Sequence, residues 1–362
     1  MRKPLHKIFT AILFTFTGFL VNLQANEIEL VAELPPETPP GNIAISPDGR
    51  IFLSVHGFYN QPAKVVELLQ DGSTKPYPTK QWAYAPTDDH NNIGLHGVLG
   101  INADPNGILW MLDTSSSNYS GRLIGWDTRS EQLHRIVYLA KPIISDHSFL
   151  NDLAIDLKNN AIYIADTGTE AIIVVDLSTG QTRRILEGSE FTKARDIDMV
   201  IDGALIQMNG QPARLGINPI TIDSQNEYLY WGAMSGTAIY RIETQYLNNA
   251  RLTDTDLAKH IEHYGDKPIS DGITIDDAGN VYITSITDDS IGYVQSDGTY
   301  KTLFKEDAFS WPDGFAVGPD NYIYVTINEL HRSPGLNNGQ NHSKNEFKVM
   351  RFKALSTARI GR

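Results

Sequence analysis

The 362-residue chain contains no cysteine, so disulfide bonds and thiol chemistry contribute nothing to its fold or function. Lys and Arg number 30 against 43 Asp and Glu, a formal net charge of −13. Binding to nucleic acid needs clustered basic residues, so this balance argues against a nucleic-acid partner. The sequence also lacks a Gly-rich phosphate loop, a His-Glu-x-x-His helix and a Gly-x-Ser-x-Gly elbow. These absences argue against three common classes of nucleotide-binding and hydrolytic site.

Long apolar runs are also scarce, and the one near the start has the order of a secretory signal peptide. Arg2, Lys3 and Lys7 precede an apolar run at residues 8–21, followed by a small residue, Ala25. A helix that spans a bilayer needs about 20 apolar residues, more than this run supplies. We therefore predict a signal peptide at residues 1–25, with a membrane anchor as the alternative. The remaining chain is predicted to be secreted or periplasmic, with no membrane partner after cleavage.

One pattern recurs six times: an apolar stretch, a turn rich in Asp, Asn and Gly, and a second apolar stretch rich in Ile, Val and Tyr. Each copy is typical of a β-hairpin, because Asn, Asp and Gly tolerate the left-handed backbone of tight turns. The copies recur every 42 to 67 residues, and a four-stranded propeller blade takes roughly 40 to 50 residues. The sequence therefore predicts an all-β fold, a six-bladed β-propeller with four-stranded blades, over residues 26–362 as a single domain. The copies lie at residues 41–55, 97–113, 151–166, 218–233, 271–285 and 313–326.

The last blade is one strand short when it is read along the chain. Residues 348–353 supply its third strand, and residues 27–33 have strand character. We therefore expect the N-terminal strand to complete the last blade and to close the ring, which leaves no long unpaired edge.

In a propeller the innermost strands line a central channel, so the residue that opens each repeat should lie near one channel mouth. These residues are Gly41, Gly97, Asn151, Asn218, Asp271 and Asp313. The side-chain oxygens of the two Asn and two Asp residues could bind a small-molecule ligand or a divalent cation such as calcium. The alternative is that each Asn or Asp bonds only to local backbone. Asp152, next to Asn151, is expected to point to the opposite face of its strand and to pack between blades.

Two histidines are predicted near the same mouth. His96 precedes the second repeat, and His147 lies four residues before Asn151. A histidine beside carboxylates can act as a general acid or base near neutral pH. The alternative for each is a loop residue with a satisfied hydrogen bond.

A family resemblance is carried by residues 99–113, 151–186, 216–247 and 271–300, by Trp311-Pro312-Asp313-Gly314 and by Asn328-Glu329-Leu330-His331-Arg332. These segments resemble the major royal jelly protein and yellow family, and the resemblance extends over nearly the whole chain after the signal peptide. The resemblance implies a secreted six-bladed propeller with a small-molecule site at the channel. Members of the family are associated with binding of biogenic amines and, for some yellow proteins, with dopachrome conversion. This chain lacks the cysteines common in insect members and so looks like a bacterial branch.

A more distant resemblance is to gluconolactonases and senescence marker proteins, which are six-bladed and metal dependent. It implies a metal held by a Glu in the first repeat, an Asn in a middle one and an Asp in a later one. Asn151 and Asp271 match the last two, but Gly41 stands at the position of the Glu. The metal ligands predicted here are therefore Asn151 and Asp271, with water or Asn218 substituting for the missing ligand at reduced affinity.

Two functions remain open from the sequence. The first is a propeller that binds a small molecule, an amine or an aromatic compound, through Asn151, Asn218, Asp313 and His96. The second is an enzyme at the same site, a cation-dependent lactone hydrolase or a dopachrome-tautomerase-like enzyme, with Asp271 or His147 accepting the proton. Metal content and turnover would discriminate between them.

Overall fold

The computed structural model describes residues 27–86, 93–114 and 120–362. The predicted signal peptide, residues 1–25, lies outside these ranges. Within them, no helix combines the length and the apolar character needed to cross a membrane.

Six four-stranded antiparallel sheets form the blades, as predicted. The innermost strand of each blade contacts the innermost strands of both neighbours, and the sixth contacts the first, so the ring is closed. The first half of the chain begins with β1 (Ile28–Glu33), and blade 1 then contains β2 (Pro40–Ile45), β3 (Ile51–Val55), β4 (Val65–Leu68) and β5 (Thr74–Pro76). Blade 2 contains β6 (Val98–Ala103), β7 (Ile108–Asp113), β8 (Gly121–Asp127) and β9 (Gln132–Leu139). Blade 3 contains β10 (Leu150–Asp156), β11 (Ala161–Asp166), β12 (Ala171–Asp176) and β13 (Thr182–Ile185).

Two small hairpins separate blade 3 from blade 4, and two short helices, α1 (Thr244–Leu247) and α2 (Asp254–Ala258), interrupt blade 4. Short 3-10 helices occur at Gly57–Tyr59, Leu330–Arg332 and Pro334–Leu336. The two hairpins are β14 (Val200–Ile201) with β15 (Ala204–Leu205) and β16 (Gln207–Met208) with β17 (Gln211–Pro212). Blade 4 contains β18 (Ile217–Ile222), β19 (Tyr228–Ala233), β20 (Ala238–Glu243) and β21 (Glu262–Asp266), and blade 5 contains β22 (Ser270–Ile275), β23 (Val281–Ser285), β24 (Ser290–Val294) and β25 (Tyr300–Lys305). Blade 6 contains β26 (Pro312–Val317), β27 (Tyr322–Ile327) and β28 (Lys348–Lys353).

The turn between the first and second strands has the same backbone signature in all six blades. Each contains one residue with positive φ, and that residue is always Gly or Asn, which adopt the left-handed region at least cost. The repeated turn chemistry seen in the sequence therefore forms the repeated hairpin. The six residues are Gly49, Gly107, Asn160, Asn226, Gly279 and Asn321.

Apolar residues from both sheet faces fill the space between neighbouring blades. Tyr163 of blade 3 and Trp231 of blade 4 are fully buried in one shared cluster. Tyr282 of blade 5 packs in the same way with Phe352 of blade 6, at 5.8 Å between ring centroids. Because each blade is thin, burial of these large side chains between blades stabilises the ring.

The ring closes through the N-terminal strand, as predicted. β1 pairs antiparallel with β28, from Ile28 opposite Phe352 to Glu33 opposite Lys348. The sheet of blade 6 thus has the order β1-β28-β27-β26. The two ends of the described chain are thereby joined in one blade.

Candidate functional site

Each innermost strand carries a β-bulge at the same level, where two consecutive residues oppose one residue of the second strand. In blade 3, for example, Leu150 pairs with Asp166 and Leu153 pairs with Ile164. A bulge re-aims side chains, so both residues of the pair can approach the channel. The six bulge pairs are Gly41-Asn42, Leu99-Gly100, Asn151-Asp152, Asn218-Pro219, Asp271-Gly272 and Asp313-Gly314.

This register corrects two expectations from the sequence. The channel-mouth residue of blade 2 is Leu99 and not Gly97, because the bulge follows Val98. Asp152 does not pack between blades: it lines the cavity beside Asn151. Strict alternation along a strand predicted the opposite face, but the extra residue of the bulge breaks that alternation.

A cavity of about 340 Å³ lies at this channel mouth. The bulge residues form its inner end, and besides Gly41 five residues predicted from the sequence line it with polar side chains. These are His147, Asn151, Asn218, Asp271 and Asp313. The propeller thus brings together residues that are up to 166 positions apart in the sequence.

Three carboxylates, Asp152, Asp271 and Asp313, form what we call the acidic floor. Asn218 Nδ2 donates to Asp271 Oδ1 at 2.5 Å, and Trp311 Nε1 donates to Asp271 Oδ2 at 2.7 Å. Asp271 is buried, and each of its two carboxylate oxygens accepts one of these hydrogen bonds.

The other two carboxylates of the acidic floor are half-buried, and each is held by an asparagine. Asn42 Nδ2 donates to Asp152 Oδ1 at 3.0 Å, and Asn328 Nδ2 donates to Asp313 Oδ2 at 2.6 Å. Amide donors at fixed positions orient the carboxylates while leaving oxygen lone pairs available to a ligand.

The protein raises the pKa of all three carboxyls. Loss of solvation raises the pKa of Asp152 to about 7, and the nearby charge of Asp271 adds to the effect. Loss of solvation likewise raises the pKa of Asp271 to about 6, although Trp311 and Asn218 favour its ionised form. The pKa of Asp313 is raised well above its ordinary value by desolvation and by the other two carboxylates. The acidic floor therefore changes charge near neutral pH.

The outer wall of the cavity is mainly apolar and comes from loops that the repeat pattern did not reveal. It includes Phe58, Phe149, Met234 and Leu336. The rings of Phe58 and Phe149 lie 6.5 Å apart between centroids, with 25° between their planes. These two aromatic residues were not predicted from the sequence, because neither belongs to a repeat.

The segment between blades 3 and 4 also reaches the cavity. We call residues 196–216, which include β14–β17, the strap. Its residues Ile206, Met208 and Leu215 line the cavity wall. Asp202, in the turn between β14 and β15, accepts hydrogen bonds from His331 Nε2 at 2.9 Å and from Arg332 Nη2 at 2.6 Å. The strap thus extends from blade 3 to the loop after β27 and covers part of the mouth.

The two predicted histidines have different positions. His147 lines the cavity and is exposed, and its backbone N–H donates to Ser145 Oγ. His96 does not line the cavity: its backbone N–H donates to Asp113 Oδ1 at 2.8 Å, and its ring faces the same carboxylate. A third histidine, His56, lines the cavity instead, and burial lowers its pKa to about 3.

The residues predicted to hold a divalent cation fit one poorly. No three His, Cys, Asp or Glu side chains within residues 27–86, 93–114 and 120–362 are arranged to hold a metal ion. Asn218 presents its amide nitrogen to Asp271, and Trp311 occupies the other oxygen. Gly41 contributes no side chain. A cation on Asn151, Asp271 and Asn218 would have to displace these donors.

Comparison with solved structures places this fold beside several known proteins. They include a streptogramin B lyase (TM-score 0.52, 17% identity, covering 91% of this chain and 98% of that one) and a gluconolactonase of Xanthomonas campestris (0.56, 12%, 91% and 90%). Regucalcin of Agrobacterium tumefaciens, described as a calcium-binding protein, matches with a TM-score of 0.55 at 13% identity, covering 93% of this chain and 98% of that one. At these identities the likeness shows the fold alone.

The sequence comparisons point to one family. The chain is 23% identical over 226 residues to major royal jelly protein 1 of Apis mellifera, which is 58% of this chain and 51% of the relative. The match therefore spans about half of the relative's length. The family model described as major royal jelly protein matches residues 96–358, well over half of the chain. The resemblance seen in the repeats is thus confirmed, and the chain belongs to the major royal jelly protein family.

Proposed function

We propose that this protein binds a small organic amine at the mouth of the propeller channel. The ammonium group would lie on the acidic floor, and the apolar body of the ligand would contact the outer wall. The observation that supports this most directly is the pairing of three carboxylates with an apolar wall in one cavity. Among the described residues, none of these carboxylates takes part in a salt bridge.

The size and lining of the cavity suit such a ligand. Its volume of about 340 Å³ lies at the lower end of the range for small-molecule pockets, roughly 300 to 1,000 Å³. The rings of Phe58 and Phe149 and the side chains of Met208 and Met234 offer an apolar and polarisable surface. An arylalkylamine has both parts that this cavity would recognise. The same ligand class is implied by the resemblance to the royal jelly and yellow family.

The charge of the acidic floor predicts how binding depends on pH. Desolvation by burial raises the pKa of Asp152 to about 7 and the pKa of Asp271 to about 6. Below pH 6 the acidic floor is therefore largely protonated. A cation binds the ionised carboxylates, so affinity should rise as the pH increases from about 5 to 8. A neutral ligand of the same shape should show no such rise.

Calorimetry with matched ligands tests this proposal. Phenethylamine and tryptamine are titrated into the purified protein at pH 8, with 2-phenylethanol as the neutral control. We expect the amines to bind and the alcohol to bind at least tenfold more weakly, and the variant Asp313→Asn to lose at least tenfold in amine affinity. The control variant Asp48→Asn changes an exposed turn residue at the other end of a blade-1 strand. Equal binding of amine and alcohol, or none at millimolar concentration, would contradict the proposal.

A second candidate is an enzyme at the same site, and Asp271 is the observation that favours it. Asn218 and Trp311 fix its carboxylate, and desolvation raises its pKa to about 6, a value suited to a general base near neutral pH. It could take a proton from a tautomerising substrate, or from a water that attacks a lactone. His147 lines the same cavity but forms no hydrogen bond with Asp271, so we assign it no role in this step.

A turnover assay separates the enzyme from the binder. Dopachrome and glucono-lactone are assayed with the wild-type protein and with Asp271→Asn, in the presence and absence of a chelator. Turnover that is lost in Asp271→Asn and resists the chelator supports a metal-free base. Turnover that the chelator removes supports the divalent cation that the sequence predicted. No turnover with tight amine binding supports the binder.

We also propose that the protein is exported, on the order of basic, apolar and small residues at its start. Expression in a bacterial host with its own leader should give a periplasmic product that begins at Asn26. N-terminal sequencing checks this, and a product retained in the membrane with residues 1–25 intact would favour the anchor.

A further inference from the structure

His56 lines the cavity, but neither proposed function uses it. It directly follows β3 of blade 1, caps the N-terminal end of the short 3-10 helix Gly57–Tyr59, and is only 5% exposed. Buried polar side chains normally have hydrogen-bond partners for their polar atoms. The partners of the two ring nitrogens therefore show whether His56 is available to a ligand.

One ring nitrogen is bonded, and that bond fixes the position of the ring proton. The backbone N–H of Phe58 donates to His56 Nδ1 at 3.2 Å. An imidazole nitrogen that accepts a hydrogen bond carries no proton, so the proton of the neutral ring lies on Nε2. Burial lowers the pKa of His56 to about 3, so the ring keeps this neutral form near neutral pH.

The other nitrogen, Nε2, carries an N–H that no described residue accepts. Within residues 27–86, 93–114 and 120–362, His56 Nε2 forms no hydrogen bond with the protein. It is also absent from the set of described side-chain atoms that are both unpaired and sealed from solvent. Because His56 is otherwise buried and lines the cavity, this N–H is open to the cavity.

His56 lies between the two parts of the cavity that the proposed ligand contacts. Its ring packs against that of Phe58 in the outer wall, at 4.9 Å between centroids and 64° between planes. On the inner side, a Cβ at Gly41 would lie 3.6 Å from His56 Cδ2, so this edge of the ring faces a bulge residue that has no side chain. An acceptor bonded to Nε2 would therefore lie between the acidic floor and the outer wall.

The charge of the cavity decides which acceptor fits there. The neutral His56 ring offers no positive charge to an anionic oxygen. Asp152, Asp271 and Asp313 line the same cavity and would repel a carboxylate on the ligand. The acceptor that suits this donor is therefore a neutral oxygen, such as that of a hydroxyl group.

We infer that His56 is a specificity-determining residue whose Nε2–H donates to a neutral oxygen of the ligand, located between the ammonium group and the apolar body. The inference rests on the proposed function and narrows its ligand from an amine to an amine that carries such an oxygen. A ligand without the oxygen leaves a desolvated N–H unpaired, which costs binding free energy.

Three amines test this inference in the wild-type protein by calorimetry at pH 8. Phenethylamine has no oxygen, 2-amino-1-phenylethanol has a hydroxyl on the chain, and tyramine is an isomer of the latter with its hydroxyl on the ring. We expect the chain alcohol to bind at least about fivefold more tightly than phenethylamine, as for one net hydrogen bond. Tyramine should bind no more tightly than phenethylamine. Equal affinity of phenethylamine and the chain alcohol would overturn the inference.

The variant His56→Phe assigns the preference to the ring nitrogen. It keeps an aromatic ring next to Phe58 and removes both nitrogens, so the preference for the chain alcohol should disappear. The two affinities are compared within each variant, so a change of cavity shape that follows loss of the Phe58 hydrogen bond affects both ligands. The control His134→Phe changes an exposed histidine of β9 that does not line the cavity, and it should keep the preference. A preference that survives in His56→Phe would overturn the inference.

NMR of the nitrogen-labelled wild-type protein gives a readout that needs no variant. The chain alcohol should shift the His56 Nε2–H signal and slow its exchange with water, and phenethylamine should not slow that exchange. An Nε2–H signal that the bound chain alcohol leaves unchanged would overturn the inference.

The same titrations separate this inference from the proposed function. If all three amines bind with equal affinity, the inference fails and amine binding stands. If none of them binds at millimolar concentration, the proposed function fails and the inference fails with it.

Discussion

Asn42 of blade 1 donates a 3.0 Å hydrogen bond to Asp152 of blade 3, and this contact joins two residues 110 positions apart on either side of blade 2. Asp152 Oδ1 also accepts the backbone N–H of Leu153 at 2.8 Å. Asn42 and Asp152 are each the second residue of a bulge pair. The contact between them therefore exists only because the two bulges turn these side chains toward the channel. The carboxylate held there is only partly compensated, and this has a measurable effect on stability.

Asp152→Asn should stabilise the protein at alkaline pH. The folded protein raises the pKa of Asp152 from 3.8 to about 7, so it holds a proton that the unfolded chain releases between these values. Stability contributed by the protonated group is full below pH 4 and is lost as the pH rises through 7. Asn cannot ionise, so the variant should exceed the wild-type protein by at least about 1 kcal/mol at pH 8 and match it near pH 4.

Urea denaturation at pH 4 and pH 8 measures this difference. The control Asp307→Asn changes an exposed carboxylate and should leave the difference between the two pH values as in the wild-type protein. A variant that is destabilised equally at both pH values would show that the hydrogen bond with Asn42 matters and the ionisation does not.

Gly272→Ala should destabilise the ring by at least about 2 kcal/mol. A Cβ at Gly272 would lie 2.1 Å from the carbonyl oxygen of Asp313, which is backbone of the neighbouring blade and cannot move aside cheaply. Thermal or urea unfolding measures the loss. Gly57→Ala is the matched control, because no heavy atom lies within 4 Å of the added Cβ. Equal stability of the two variants would show that blades 5 and 6 can separate at the bulge without cost.

Much of the architecture follows from the sequence because a propeller repeats its local rules. The turn residues recur, the apolar strands alternate, and ring closure then places Asn151, Asn218, Asp271 and Asp313 at one mouth without any knowledge of their contacts. Those four positions could be predicted from symmetry alone.

The rest of the site departs from that symmetry. Asp152 was assigned to the wrong face because a bulge is a one-residue insertion that leaves no mark in a hydrophobic pattern. Met208 lies in the strap and Phe58 in a short 3-10 helix, both outside the repeats. His96 follows the repeat frame but faces Asp113, a residue whose position depends on side-chain packing. The site residues that depend on bulges, loops and side-chain pairing therefore could not be predicted from the repeat pattern.

Removal of residues 27–33 should destabilise the protein more than the length of the segment suggests. Blade 6 would keep three strands and expose the edge of β28. The N-terminal part of the chain would also no longer be paired with the C-terminal strand. We expect Tm to fall by at least about 5 °C, as for a loss of roughly 2 kcal/mol or more in a domain of this size. Leu30→Lys is the control, since Leu30 is 53% exposed and its strand remains paired. A truncated protein that melts like the intact one would mean that blade 6 is stable with three strands.

Asp202→Asn should loosen the strap and leave the blades intact. Asp202 accepts hydrogen bonds from His331 and Arg332, and these contacts tie the turn between β14 and β15 to the loop after β27. Asn keeps the shape but loses the charge that strengthens both bonds, so the strap should open more often. Hydrogen exchange followed by mass spectrometry should show amides of residues 198–212 exchanging about tenfold faster.

The control for the strap is Asp277→Asn, which removes an ion pair with Arg359 at the turn between β22 and β23. That turn lies at the end of blade 5 away from the bulge, so its loss should not change exchange in the strap. Faster exchange throughout the blades of Asp202→Asn would indicate a loss of global stability instead of local opening. Unchanged exchange in the strap would mean that Met199 and Ile201, which are buried in the same apolar cluster as Leu330, hold it in place without the ion pair.

Because the strap contributes Ile206, Met208 and Leu215 to the cavity wall, its opening should also speed the dissociation of any ligand bound there.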